Sequence, residues 1–204
     1  MAEDTLFDGN RMRASLRQAL KTTRSGLGAS EKMAAAEAVA HRLLAQLPES
    51  GGYLGGYWAC NGELPLHRLQ MQLPENWIWC LPVVCPGRQL RFAPWRAGDI
   101  LGSNRYGIPE PMTDSEACLL PEAMQAVVLP VLGFTRQGLR LGMGGGYYDA
   151  SFAFRKSQDA PPLLIGAAFA CQEIEMLEAQ SWDVALDAVA TESEWIDCRT
   201  KENR

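Results

Sequence analysis

The sequence has no surplus of positive charge. Lys and Arg number 19 against 24 Asp and Glu, for a net charge of −5. With so little to neutralise a polyphosphate backbone, nucleic-acid binding is excluded as a principal role. No apolar run approaches the ~20 residues that span a bilayer. Met1–Asn10 carries Glu3, Asp4 and Asp8 where a signal or transit peptide carries bases. The expectation is a cytoplasmic protein without membrane contact. Histidine is scarce, at His41 and His67 only, and neither accompanies a nucleophile motif such as GxSxG, which argues against a histidine-based hydrolase. The six cysteines form no CxxC pair and lack zinc-like spacing, so they read as reduced, mostly buried small hydrophobes. Two phosphate motifs are missing as well. No GxxxxGK[ST] occurs, and GxGxxG fails because Tyr147 occupies its third glycine position. Internal repeats, low-complexity tracts and linkers are also lacking. The 204 residues, 47% hydrophobic, therefore form one domain over 1–204, with loose polar ends at 1–10 and 197–204.

Glycine is concentrated where it can matter. In Arg140-Leu141-Gly142-Met143-Gly144-Gly145-Gly146-Tyr147-Tyr148-Asp149, four of ten residues are glycine. The apolar run Ala126–Leu132 leads in, and the helix-compatible segment Tyr147–Lys156 leads out. Glycines permit positive φ and remove side chains that would block a ligand. Between a strand and a helix start they aim backbone N–H groups at one point, where the helix dipole favours an anion. Arg140 adds a planar cation suited to phosphate, and Asp149 a carboxylate suited to Mg²⁺ beside phosphates. A loop that binds nothing can have the same composition.

The rest of the chain alternates helix and strand patterns. Arg11–Ser25 predicts a helix with Leu16 and Leu20 on one face and Arg13, Arg17, Lys21 and Arg24 as a basic stripe, either a solvated face or an anion contact. Ser30 is a candidate cap for a second helix whose Ala36, Val39, Ala40, Leu43 and Leu47 face the core, ended by Pro48. Tyr53–Ala59 predicts a strand in which Gly55-Gly56 suggests close approach by a backbone or a ligand. Glu63 follows in a strand-to-helix loop, as a ligand contact or a solvent-exposed acid. Trp58 suits stacking on a flat ring or the core. Trp77–Val84 and Gln89–Trp95 predict a hairpin across Pro86-Gly87. Phe92, Trp95 and Tyr106 are candidates for a pocket or the core. Val127–Leu132 and Leu163–Phe169 read as strands buried on both faces, as in a parallel sheet. Ile174–Gln180 predicts a short helix. The strand–helix alternation points to an α/β protein.

Arg140-Leu-Gly-x-Gly-Gly-Gly-Tyr-Tyr-Asp149 resembles the signature of the 5-formyltetrahydrofolate cyclo-ligases, also called 5,10-methenyltetrahydrofolate synthetases. Matches run in order from Arg13 to Glu192. Arg13-Ala-Ser-Leu16-Arg17 is similar to the family's Lys-x-x-Leu-Arg opening, with Arg13 for Lys. Leu81-Pro82-Val83 resembles its Leu-Pro-x-Val, and Gly107-Ile108-Pro109-Glu110-Pro111 its Gly-Ile-x-Glu-Pro. Trp182-Asp183 through Thr191-Glu192 resembles its His-Asp…Thr-Glu. Thr135, Ala150 and Trp182 replace the family's usual Asp, Arg and His. Arg155 or Lys156 is a candidate to make up for the missing Arg.

The resemblance implies a three-layer α/β sandwich with a central, largely parallel sheet of the ribose-phosphate isomerase-like kind. It implies an ATP- and Mg²⁺-dependent monomer that converts 5-formyltetrahydrofolate to 5,10-methenyltetrahydrofolate. Arg13, Arg17, Arg140, Leu141, Gly142, Met143, Gly144, Gly145, Gly146, Tyr147 and Tyr148 would contact ATP, with Arg140 also catalytic. Trp58 and Glu63 would hold the reduced folate, and Asp149 and Asp183 the Mg²⁺. Without the resemblance, Asp183 and Asp187 are ordinary loop acids. Two other classes remain compatible: another ATP-dependent small-molecule kinase, and a folate- or nucleotide-binding module without turnover.

Overall fold

A computed structural model describes residues 2–199, with side chains from Arg11 onward. Residues 200–204 of the expected polar tail lie outside the described residues. Among the described residues four α-helices occur: α1 (Ala2–Gly26), α2 (Ala29–Gln46), α3 (His67–Gln72) and α4 (Tyr147–Ser151). Seven strands form the main sheet: β1 (Gly52–Gly55), β2 (Trp77–Val84), β3 (Leu90–Pro94), β6 (Ala126–Pro130), β9 (Leu163–Ala167), β10 (Ala188–Ala190) and β11 (Trp195–Asp197). Two small hairpins, β4 (Leu101–Ser103) with β5 (Pro109–Pro111) and β7 (Gly133–Phe134) with β8 (Arg140–Leu141), stand outside it.

The sheet order is β11-β10-β9-β6-β1-β2-β3. The five inner strands run parallel, and β3 and β11 close the edges antiparallel. The unalternating apolar run at β6 explains this arrangement. Ala126 and Val128 enter one core cluster with Val39 and Leu43 of α2 and Leu69 of α3. Val127 and Leu129 enter the opposite cluster with Phe152, at the end of α4. A strand that buries both faces needs cover on both sides, which yields three layers. The helix α1 packs differently. Its Leu20 joins Leu132, Leu141 and Leu177 in a separate cluster, and a Cβ on Gly133 would come within 2.6 Å of Leu20. It lies across the segments that follow the carboxyl ends of the parallel strands.

Several local expectations change. Gly55-Gly56 makes room for side chains of the core, neither another backbone nor a ligand: a Cβ on Gly56 would sit 2.1 Å from the Trp79 ring, and one on Gly55 2.9 Å from Phe92. Ser30 does not cap α2. The helix begins after Gly28, whose N–H donates to the Glu31 carboxylate at 2.6 Å, the reach-back half of a capping box. Ile174–Gln180 is not a helix; Ile174 N–H bonds to Phe134 O and the segment runs on without helical structure. Asp197 belongs to β11 rather than to a loose tail, and Cys198 is buried. No helix among the described residues is long and apolar enough to cross a membrane.

Asp187 ties the layers together. Its carboxylate takes both bonds of an Arg155 guanidinium nitrogen at 2.9 Å and accepts Leu164 N–H at 2.8 Å. Its own N–H and C=O bond to Leu164 and Cys198. Arg155 is therefore fully engaged here and does not replace the Arg missing after Asp149. Removing one partner of an enclosed pair leaves the other charge uncompensated. Asp187→Ala is expected to lower unfolding stability by about 3–5 kcal/mol, read from urea denaturation midpoints.

Candidate active site

Ligands of open α/β sheets bind outside the carboxyl ends of the strands, and the candidate residues gather there. The glycine loop leaves β8 rather than β6, because the β7–β8 hairpin intervenes. Gly144 and Gly146 take φ of +99° and +71°, which an L side chain rarely adopts. Among the described residues, the amides of 142–146 donate no hydrogen bond to the protein. The helix after the loop, α4, is only five residues long. Its dipole is correspondingly weak, and the positive field comes from guanidinium groups instead.

Arg17 is the nearest of these. Its Nε donates to Gly142 O at 2.9 Å, and its Nη2 lies 3.7 Å from where a Cβ on Gly144 would sit. No carboxylate pairs with it among the described residues. Burial, reinforced by the like charge of Arg13, lowers its pKa. An anion seated on the loop would relieve both penalties. Arg88 Nη1 lies 3.9 Å from the corresponding point on Gly146. Exposed Arg105 lies over the rings of Tyr106 and Tyr147 and donates to Tyr147 Oη, which also shares a 2.7 Å bond with Tyr106 Oη. The Tyr147 hydroxyl is made more acidic by the Tyr106 bond first, then by Arg105 and Arg88.

Not every residue expected at the nucleotide faces the loop's open side. Leu141 is fully buried against α1, so its side chain supports the loop from behind. Arg140 is 6% exposed at its side chain; it donates to Val184 O at 2.5 Å and to Asp149 Oδ1 at 2.7 Å. Asp149 Oδ1 also accepts Val184 N–H at 3.1 Å. The geometry makes Arg140 the anchor of Asp149 rather than a group reaching over the loop. Tyr148 turns inward and stacks on Phe152, and burial, then the nearby Glu63 charge, raises its pKa. Met143 stays exposed on the loop.

Asp183 is held comparably. Arg13 Nη2 donates to Asp183 Oδ2 at 2.6 Å and to Glu178 O at 2.7 Å, and the same Oδ2 accepts Gln180 N–H at 2.9 Å. Asp149 and Asp183 are brought near each other, because Asp149 bonds the amide of the residue after Asp183. Each keeps one oxygen that accepts no hydrogen bond from the described residues. No group of three or more His, Cys, Asp or Glu gathers as a metal cage among the described residues. Two carboxylates fit Mg²⁺, which commonly takes one or two protein carboxylates and completes its shell with phosphate and water.

Glu63 lies close enough to Tyr148 for its charge to act on the hydroxyl. Its Oε2 accepts Cys60 N–H at 3.0 Å and the Cys60 thiol at 3.5 Å. Burial raises the Glu63 pKa against the opposing pull of those bonds and of Arg24. Burial and the Glu63 charge push the Cys60 thiol up to about 11, so it is a poor nucleophile. Trp58 is 40% exposed and meets Trp95 edge-on at 5.9 Å, leaving a ring face available. Phe92 is wholly in the core. Tyr106 instead joins the rim, beside a cleft of about 320 Å³ lined by Val84, Cys85, Pro86, Asn104, Arg105 and Glu110. Glu110 serves the backbone and its own loop, since Oε2 accepts Val84 N–H at 3.1 Å and Asn104 Nδ2 at 3.2 Å.

Sequence reasoning singled out neither Arg88 nor Arg105. Neither sits in a pattern that signals function, since loops carry no periodicity. The departures from the motif are absorbed locally. Thr135 is buried in the β7–β8 turn and its Oγ1 accepts Leu139 N–H. Trp182 is 55% exposed. Lys156 bonds Ser181 O and, like Arg155, is engaged outside the loop.

Known proteins resemble the chain in sequence and in fold. The profile of the 5-formyltetrahydrofolate cyclo-ligase family matches residues 10–192. A 5-formyltetrahydrofolate cyclo-ligase of Haemophilus influenzae is 28% identical over 178 residues, covering 85% of this chain and 94% of the relative. One from Escherichia coli is 35% identical over 120 residues, 56% of this chain and 65% of its own. The NMR structure of Aquifex aeolicus 5,10-methenyltetrahydrofolate synthetase superposes with a TM-score of 0.75 at 27% identity, covering 93% of this chain and 94% of that one. The match spans the basic helix, the Glu63 turn, the glycine loop and the Asp183 loop, and the chain belongs to the 5-formyltetrahydrofolate cyclo-ligase family.

Proposed function

We propose that the protein uses ATP and Mg²⁺ to cyclise 5-formyltetrahydrofolate to 5,10-methenyltetrahydrofolate, releasing ADP and phosphate. The observation that carries this reading is the glycine loop. Among the described residues, five consecutive amides without protein partners stand beside Arg17, a half-buried cation that no carboxylate neutralises. Such a seat suits the oxygens of a triphosphate. Glu63 and the open face of Trp58 supply a carboxylate and a flat surface for a reduced pterin, and Glu63 is near Tyr148, which follows the loop.

The reaction follows from that adjacency. The γ-phosphoryl group bonds to the formyl oxygen as its bond to ADP breaks, giving an iminium phosphate on N5. N10 attacks the formyl carbon, the carbon–oxygen bond to phosphate breaks, and the N10 proton is lost. Phosphoryl transfer needs position and charge stabilisation more than covalent help from the protein. The amides of Gly142–Gly146 hold the phosphates, and Arg17 and Arg13 offset their charge. Arg140 acts through Asp149, keeping it aimed and fastening the 178–184 segment to the loop. Asp149 and Asp183 would hold Mg²⁺, which supplies further neutralisation of phosphate charge. Glu63 orients the folate.

Purified protein with Mg²⁺, ATP and 5-formyltetrahydrofolate should accumulate the near-ultraviolet absorbance of the methenyl product, with ADP release dependent on the folate. ADP formed equally without folate would indicate a different kinase, and binding of both ligands without turnover a non-catalytic module. Arg17→Ala should raise KM for ATP by about tenfold or more, the scale of one charge-assisted bond, with little change in KM for the folate. Gly144→Ala should impair ATP use similarly in steady-state assays, because its φ of +99° opposes a side chain.

A further inference from the structure

Arg24 is the one buried arginine of α1 that neither phosphate chemistry nor an ion pair explains. It is 2% exposed, yet among the described residues no carboxylate lies within salt-bridge range. The only hydrogen bond of its side chain there runs from Nη2 to Asn61 O, at 2.8 Å. Enclosing a guanidinium without a paired acid is costly, so its place calls for a reason.

The residues around it supply one. Asn61 and Gly62 both take left-handed backbone, φ +50° and +78°, a conformation that asparagine and glycine accept more readily than other residues. This turn returns Glu63 N–H to Cys60 O at 2.9 Å and Cys60 N–H to the Glu63 carboxylate at 3.0 Å. Arg24 grips the turn at its apex, with Nε 3.8 Å from where a Cβ on Gly62 would sit. The groups facing Glu63 are Cys60 on its own loop, Tyr57 before it, Tyr148 of α4 and Arg24 of α1. Arg24 is the only cation among them. The same helix carries Arg13 and Arg17 to the nucleotide side.

We propose that Arg24 is a positioning residue for Glu63: it fixes the Cys60–Glu63 turn through the Asn61 carbonyl and sets a buried positive charge beside a carboxylate that must stay ionised to hold the folate. This rests on the proposed folate role of Glu63. It also links the two halves of the site mechanically, because one rigid helix touches the phosphate loop at Arg17 and the folate turn at Arg24.

The test uses full-length protein with Arg24→Gln, which keeps an N–H for Asn61 but loses the charge, and Arg24→Lys, which keeps the charge. Carboxyl carbon NMR, assigned with Glu63→Gln, follows the Glu63 titration without requiring activity. In Arg24→Gln, Glu63 should titrate at higher pH, and Arg24→Lys should restore the wild-type midpoint. In steady-state assays Arg24→Gln should raise KM for 5-formyltetrahydrofolate about tenfold while KM for ATP stays within about twofold. Added to Glu63→Gln, it should cost nothing more. An unchanged Glu63 titration in folded Arg24→Gln overturns the proposal, as do equal rises in both KM values or a fully additive double variant. If the wild-type enzyme does not cyclise the folate, the reaction proposal fails, and the titration still decides what Arg24 does to Glu63.

Discussion

Arg17 reaches from the first helix to the carbonyl of Gly142, and the site depends on that reach being made by a helix fixed in the core through Leu20. The contact fixes the Gly142 carbonyl on the guanidinium, and the amides of 142–146 have no protein partner among the described residues. Of the nearby enclosed guanidinium groups, two are balanced: Arg13 meets Asp183, and Arg140 meets Asp149. Arg17 is the imbalance. A site that holds an excess cation in partial burial is prepared for an anion, since the cost of desolvating the charge has been met in folding rather than at binding.

Three enclosed ion pairs organise the C-terminal third of the chain. Asp183 is pinned to α1, Asp149 to Arg140 and the Val184 backbone, and Asp187 to Arg155. Together they fasten the segment from Glu178 to Asp187, which has no helix or strand of its own. Regular structure satisfies its backbone internally, whereas this segment relies on charged side chains. Loops built this way place acids accurately without a rigid element beneath them.

The parts of the structure legible in the sequence are those with a period or a forced turn. The doubly buried β6 and β9, the β2–β3 hairpin across Pro86-Gly87 and the core face of α2 follow from apolar spacing and turn chemistry. The glycine loop is legible because only glycine accepts the backbone at Gly144 and Gly146. Inside loops the direction of a side chain has no such code. Arg140, Leu141 and Tyr148 belong to the motif, but nothing in their order says that they face the core while Met143 faces out. Gly55-Gly56 is similar: two missing side chains announce a close neighbour, and only the fold identifies it as Trp79 and Phe92. Arg88, Arg105 and the deep placement of Arg24 depend on distant elements meeting, which local sequence does not encode.

The bonds that dock α1 have a consequence for how the chain assembles. Arg13 is joined to Glu178 and Asp183 across sequence separations of 165 and 170 residues, and Arg17 to Gly142 across 125. Contacts this remote carry a heavy loop-closure cost and tend to form late. During synthesis the helix precedes its polar partners by 125 residues or more, and cannot dock through them until Gly142, Glu178 and Asp183 have left the ribosome. The glycine loop thus gains its contact with α1 late in folding, after the segments around Gly142 and Asp183 have come together.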